Sequence, residues 1–443
     1  METFPRTAQV NLTTAALPRE SEVVALWQKA ILSRRLFVDL EGGLVQVVYP
    51  GRPNDARGAD FRDALIRWKG RTQLGSIEVH SAASAWKAHG HHRDPRYNDV
   101  VLHVAWYASG PLLTLLENGR PVPTLILSRQ DLAHASPVPV PACRQTGGRQ
   151  SVAWLQDVLA AMGERRFEDK ARRFSAEIDL LGAGQSLYLG LLEALGYSHN
   201  QTAFRQLGRS LPLSALENAG GLREIQARLL GSAGFLAAAQ GPDELSGSNL
   251  THLQHLWQRS APNPPPPVPD WDLFKIRPSN HPVRRLMALA QLLRRFHKDG
   301  LLASLVRRLE TGGKPSASSL IAPLLVACAG GRRRLLGWGG VSPRAEPHWL
   351  GPARAAEIAV NVWLPFALAF SLREGLPGLE GRAKQLYAAF PRLEVNSLER
   401  HICQQLGLKS GHFKTARLQQ GALHLYRNFC LKGACRSCPL NRE

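Results

Sequence analysis

Asp60, Glu78 and His80 are the residues whose types and spacing point most directly to chemistry. Two carboxylates brought together across a hairpin bind a hard divalent cation through oxygen, and a third polar group beside them can act on an attacking water. Glu78 and His80 flank Val79, so in a strand their side chains share a face. The acidic partner comes from the segment before, which holds both Asp60 and Asp63. Register decides between them: a two-residue turn at Gly70-Arg71 pairs position 63 with 78, and a one-residue change in loop length brings the other face round. His80, His89, His91, His92 and His103, five of the chain's 15 histidines, fall within the same stretch from Gly58 to Tyr107. They read either as bases and phosphate contacts for hydrolysis, with Asp94 completing the pocket, or as an imidazole site for a transition metal. His103, inside a strand pattern, reads first as a core histidine held by hydrogen bonds.

The elements that must position these groups can be read on either side of them. Ser21 to Leu36 carries Val23, Val24, Leu26, Trp27, Ala30 and Ile31 at helical spacing. Glu22, near its start, is read as a solvated helix-start glutamate. Leu44 to Tyr49 reads as a strand, Ala64 to Trp68 and the run ending at His80 as a hairpin, and Ser84 to His89 as a short helix that Gly90 can end. Val100 to Tyr107 follows as a strand. Leu112 to Leu116 and Val122 to Leu127 form a second hairpin around Asn118-Gly119. Helix, strand, hairpin, helix, strand, strand is the order of a mixed sheet with a helix on each face.

The proline-rich segment from Pro137 to Pro141 ends this α/β domain, placed at residues 1–136 with a linker at 137–151. A helical domain is expected over 152–395, from apolar residues at three- and four-residue steps in Trp154 to Met162, Phe167 to Leu181, Tyr188 to Leu195, Leu222 to Leu230, Val283 to Phe296 and Leu301 to Leu309. Arg284, Arg285, Arg294, Arg295 and the run Arg332-Arg333-Arg334 could track a phosphate backbone, or could be the solvated backs of amphipathic helices. A Cys-rich segment occupies 396–443. Cys430, Cys435 and Cys438 stand as C-x4-C-x2-C-P-L, and thiolates at that density in a reducing compartment bind Zn2+ or an iron-sulfur cluster, with Cys403, His401 or His424 as fourth ligand. Such a site would clamp the tail onto the helical domain. Cys143 and Cys328 read as ordinary residues.

Composition bounds the function classes. Lysine and arginine number 55 against 35 acidic residues, a formal net charge of +20, which favours a polyanionic partner through long-range attraction and counterion release. Nucleic acid is the first candidate, DNA before RNA. The N-terminus has no basic region followed by an apolar core, and Ile358 to Leu372, interrupted by Asn361 and Pro365, falls short of the roughly 20 residues that cross a bilayer. A cytoplasmic protein with no membrane partner is the expectation.

Asp60 followed after a hairpin by Glu78-Val79-His80 resembles the PD-(D/E)XK nuclease superfamily pattern, with Ala59 in place of the usual proline and His80 in place of the usual lysine. The longer string with His89-Gly90-His91-His92 and Asp94-Pro95-Arg96-Tyr97-Asn98 resembles an uncharacterised bacterial domain-of-unknown-function family. That likeness runs on through Gly196-Tyr197-Ser198-His199-Asn200, Arg277-Pro278-Ser279-Asn280-His281-Pro282 and the terminal cysteines. The superfamily resemblance implies a restriction-endonuclease-like sheet, Mg2+ or Mn2+ on Asp60 and Glu78, a catalytic role for His80, and phosphodiester cleavage. It also points to Glu22 as an acidic residue that a first core helix can add. Two other readings stand beside it: a nucleic-acid-binding module that has lost catalysis with the lysine, and a hydrolase of small substrates with Zn2+ or Fe2+ on the histidines.

Overall fold

A computed structural model describes residues 17–33, 36–54, 58–109, 113–127, 143, 151–197, 199–236, 247–273, 276–311, 316–327, 336–337, 340–341, 348–408 and 410–441. The chain divides into two units. The α/β unit comprises residues 1–150, 404–407 and 425–443, and the helical unit comprises 151–403 and 408–424. The cysteine-bearing tail is thus part of the α/β unit, which corrects the expectation that it clamps onto the helical domain.

The α/β unit is built on one eight-stranded mixed sheet. Its strands are β1 (Leu36–Val38), β2 (Leu44–Tyr49), β3 (Arg52–Pro53), β4 (Phe61–Trp68), β5 (Arg71–Ala82), β6 (Val100–Tyr107), β7 (Leu113–Leu115) and β8 (Pro121–Ile126). They lie in the order β1-β2-β4-β5-β6-β8-β7, with β3 beside β4. The β2, β4 and β5 strands are antiparallel neighbours; β5, β6 and β8 run parallel. The short edge strand β1 escapes the sequence pattern because Leu36 and Val38 face solvent and only Phe37 enters the core.

One face of the sheet is covered by α1 (Glu20–Ser33), whose Val23, Trp27, Ala30 and Ile31 pack with Phe61, Ile66, Ile77, Val79, Leu102 and Val104. Because side chains alternate along a strand, committing Ile77 and Val79 to this core sends Glu78 and His80 to the opposite face. There α2 (Ala85–Ala88), ended by Gly90 at φ 77°, crosses from β5 to β6 and buries Trp86 with Val100, Leu116 and Val122.

The hairpin register differs from the sequence expectation. Its turn is Lys69-Gly70, both at positive φ (47° and 75°), as a two-residue hairpin turn requires. Trp68 therefore pairs with Arg71 and Ala64 with Gly75, and a bulge then shifts the ladder so that Phe61 pairs with Ile77. The extra residue is Asp63, at φ 63°, which swings out of the strand alternation while Asp60 arrives next to Glu78.

In the helical unit Val152–Leu181 is one continuous helix, not two. Gly163 is there for close approach: a Cβ at that position would stand 2.2 Å from the Arg417 carbonyl oxygen. The run from Pro352 to Glu374 is helical over 23 residues, long and apolar enough by composition to cross a membrane, contrary to the shorter stretch read from sequence, but 78% of its window is buried inside the structure. Pro365 has no N–H for the Asn361 carbonyl, and the helix widens to a π-turn over Ala359–Trp363. Lys170 Nζ donates to that carbonyl and to Asn361 Oδ1 at 3.2 and 2.7 Å, satisfying the group proline leaves over.

Gly75 sets how closely β5 approaches the start of β6, since a Cβ there would lie 2.1 Å from Asp99 O. Gly75→Ala is expected to destabilise the protein by about 1–3 kcal/mol, read as a lowered urea midpoint with unchanged slope.

Candidate functional site

Glu78 is the centre of the site. Only 7% exposed, it accepts a hydrogen bond from the Asp60 backbone N–H at 3.1 Å through Oε2. Its Oε1 lies 3.3 Å from His91 Nε2 and 3.5 Å from His80 Nε2. Asp60 reciprocates with Oδ2, which accepts from the Val79 N–H at 3.0 Å. The Glu78 carboxylate is thus tied to the Asp60 backbone, and the Asp60 carboxylate to the backbone of Val79 beside Glu78. His80, His89 and His91 complete the cluster: their ligand nitrogens all lie within 4.8 Å of one another. His91 stacks between the rings of His80 and Tyr97, at centroid distances of 5.3 and 3.9 Å.

Behind His80 runs a chain of hydrogen bonds. Its Nδ1 meets His103 Nε2 at 2.9 Å, His103 Nδ1 meets Thr114 Oγ1 at 2.7 Å, and Thr114 Oγ1 meets Thr124 Oγ1 at 2.9 Å. His103 is therefore the hydrogen-bonded core histidine read from its strand, and it orients a site residue. With Nδ1 engaged, His80 turns Nε2 toward Glu78 and the other histidines, and that buried atom has no hydrogen bond. Such an imidazole, fixed from behind and open in front, is built as metal ligands are.

Burial dominates the electrostatics. It pushes the Asp60 carboxyl up to about 7, helped by the neighbouring Glu78 and partly offset by the Val79 N–H. The same desolvation, reinforced by His103, His91 and His89, drives His80 down to about 2, and His103 falls to about 3. His80 is a neutral ligand-type imidazole, not a replacement for the positive charge of a lysine.

Other sequence candidates lie elsewhere. Asp63 accepts from Arg52 Nε at 2.7 Å and Tyr426 O–H at 3.1 Å, and plays a structural part in the α/β unit. Asp94 accepts from the Arg96 backbone and guanidinium, capping the turn Pro95–Tyr97. His92 stands outside the three-histidine group. Glu22 accepts from the Arg19 N–H at the helix start. The acidic residue that α1 brings nearest is Glu20, with Oε1 3.9 Å from His89 Nδ1. Sequence pattern passed over it because it precedes the apolar repeat.

The arginines also need correction. Arg284 and Arg285 are 3% and 5% exposed, and Arg285 donates to Trp349 O, Tyr197 O–H and Asn280 Oδ1. Arg295 donates to the carbonyls of Pro323 and Leu325. Arg284 and Arg285 are thus buried and not the solvated back of a helix, Arg294 and Arg295 are exposed, and Arg332, Arg333 and Arg334 lie outside the described residues.

The pH dependence of stability follows from these shifts. His80 and His103 titrate at 6.5 when unfolded, so the unfolded chain binds more protons and stability falls as pH drops below 6.5. Asp60 acts in the opposite sense, its contribution being lost as pH rises from 3.8 through 7. In unfolding curves at pH 6, 5 and 4, His103→Gln is expected to shrink the acid-side slope by about 1.4 kcal/mol per pH unit.

No curated protein and no solved structure matches the chain. Residues 20–311 match the family described as "Protein of unknown function (DUF2851)".

Proposed function

We propose that this chain, which belongs to the DUF2851 family, is a metal-dependent hydrolase of phosphodiester bonds in nucleic acid, DNA before RNA, working in the cytoplasm. The convergence of Glu78 with His80 and His91, beside Asp60, carries the reading. Three imidazoles and a carboxylate suit Mn2+, Zn2+ or Fe2+ better than Mg2+, which prefers an all-oxygen shell. Of the Mg2+ or Mn2+ implied by the PD-(D/E)XK resemblance, the donor set favours manganese. Bound there, the ion would neutralise phosphate charge and lower the pKa of a coordinated water.

The chain's own residues have distinct parts in this proposal. Glu78, His80 and His91, with His89 at the rim, would hold the ion. His103, Thr114 and Thr124 fix the His80 ring. Asp60, held against Glu78, would take the proton of the attacking water. The net charge of +20 draws a polyanion toward the protein. The histidine triad also favours a second reading, a metallohydrolase of a small phosphorylated or acylated substrate.

Purified protein incubated with single- and double-stranded DNA and RNA, across Mg2+, Mn2+, Zn2+ and Fe2+, separates these readings. Cleavage is expected with Mn2+ or another transition ion, and Glu78→Gln should abolish it. Asp60→Asn should lower it about 10²–10⁴-fold. Salt-sensitive binding without cleavage under every ion would leave a non-catalytic binding module. Neither binding nor cleavage, with metal retained on the histidines, would favour the small-substrate hydrolase.

A further inference from the structure

The tail of the α/β unit gathers thiols from two distant parts of the chain. Cys430–Lys432 and Cys435–Ser437 form successive single turns, joined by Gly433 in the left-handed region at φ 62°. The Cys438 N–H closes the second turn onto Cys435 O at 3.1 Å. These turns fold the C-x4-C-x2-C segment back on itself. Gln405 then marks a fourth member: its Nε2 donates to Cys430 Sγ at 3.7 Å and to Cys143 Sγ at 3.5 Å, so one amide nitrogen holds both sulfurs.

Cys143, Cys435 and Cys438 all lie near enough to Cys430 to act on its thiol, and Cys143 and Cys435 near enough to act on that of Cys438. Cys403 answers to different neighbours: burial and Glu399 raise it, inside the helical unit. The fourth position assigned to it from sequence belongs instead to Cys143, which sequence separation had disguised as an ordinary residue. His424, another fourth-ligand candidate, faces Asp169 at 3.6 Å in the helical unit.

We infer that Cys143, Cys430, Cys435 and Cys438 are the four ligands of an iron-sulfur cluster in the α/β unit. Thiolates are the donors such clusters take, one on each iron corner. Four thiolates also suit tetrahedral Zn2+, and the iron and sulfide content of the loaded protein tells the two apart. A cluster at this place would fasten the tail, which already packs Gly433 against Val48 and Leu65 and gives the Tyr426 hydroxyl to Asp63 at the β4 bulge.

The inference stands apart from the hydrolase reading and is tested without activity. Full-length protein, purified anaerobically and reconstituted with ferrous iron and sulfide, should hold iron and acid-labile sulfide in near-equal amounts, with visible absorption that dithionite bleaches. Cys143→Ser should lose that absorption at least tenfold, and Cys403→Ser should keep it. To guard against misfolding of the variants, alkylation of the wild-type protein with mass-spectrometric readout should find Cys143, Cys430, Cys435 and Cys438 protected when loaded and reactive once the cluster is destroyed. Stoichiometric zinc without sulfide, failure to take up iron, alkylation of Cys143 in the loaded protein, or loss of the cluster in Cys403→Ser but not in Cys143→Ser would each overturn it.

Discussion

A strand covered on both faces cannot have a wet side, and β5 is such a strand from Ser76 to His80. Ile77 and Val79 go to the core beneath α1, and the alternation that sends them there buries Glu78 and His80 on the other side. Everything unusual about the site follows from removing water from ionisable groups. The carboxyl of Asp60 holds its proton to near neutrality and the imidazoles of His80 and His103 refuse theirs, with burial the leading cause in each case. A divalent cation entering this cluster would meet an uncharged imidazole at His80 and so no repulsion from it.

The bulge in β4 is the geometric partner of that constraint. A regular hairpin would run straight from the Ala64-Gly75 pair and set a different residue opposite Glu78. Because Asp63 takes positive φ, one residue leaves the ladder, Asp60 reaches the Val79 N–H, and Asp63 is released to bind Arg52 and Tyr426. One irregularity therefore serves two carboxylates, one for the site and one for holding the tail.

What could be read from residues alone was whatever depends on local period. The mixed sheet, the helices around it, the shared face of Glu78 and His80 and the gathering of histidines between β5 and β6 all follow from spacing along the chain. Choosing between Asp60 and Asp63 required a backbone dihedral angle that no periodicity encodes. Arg284 and Arg285 looked like a solvated or phosphate-facing pair because a helix repeat cannot show that Trp349, Tyr197 and Asn280 surround one of them. Cys143 escaped notice for the same reason: nearness in sequence favoured Cys403, whereas Gln405 joins Cys143 to Cys430.

The α/β unit is discontinuous, interrupted by more than half the chain before residues 404–407 and 425–443 return to it. During synthesis the sheet must therefore wait, with Val48 and Leu65 uncovered and Asp63 missing one of its two hydrogen-bond donors, until the whole helical unit has left the ribosome. Folding of this protein is consequently not a simple progression from first domain to last. An excised N-terminal fragment would carry every strand of the sheet but leave Val48 and Leu65 uncovered, and the helical unit is in effect an insertion between the two halves of its neighbour.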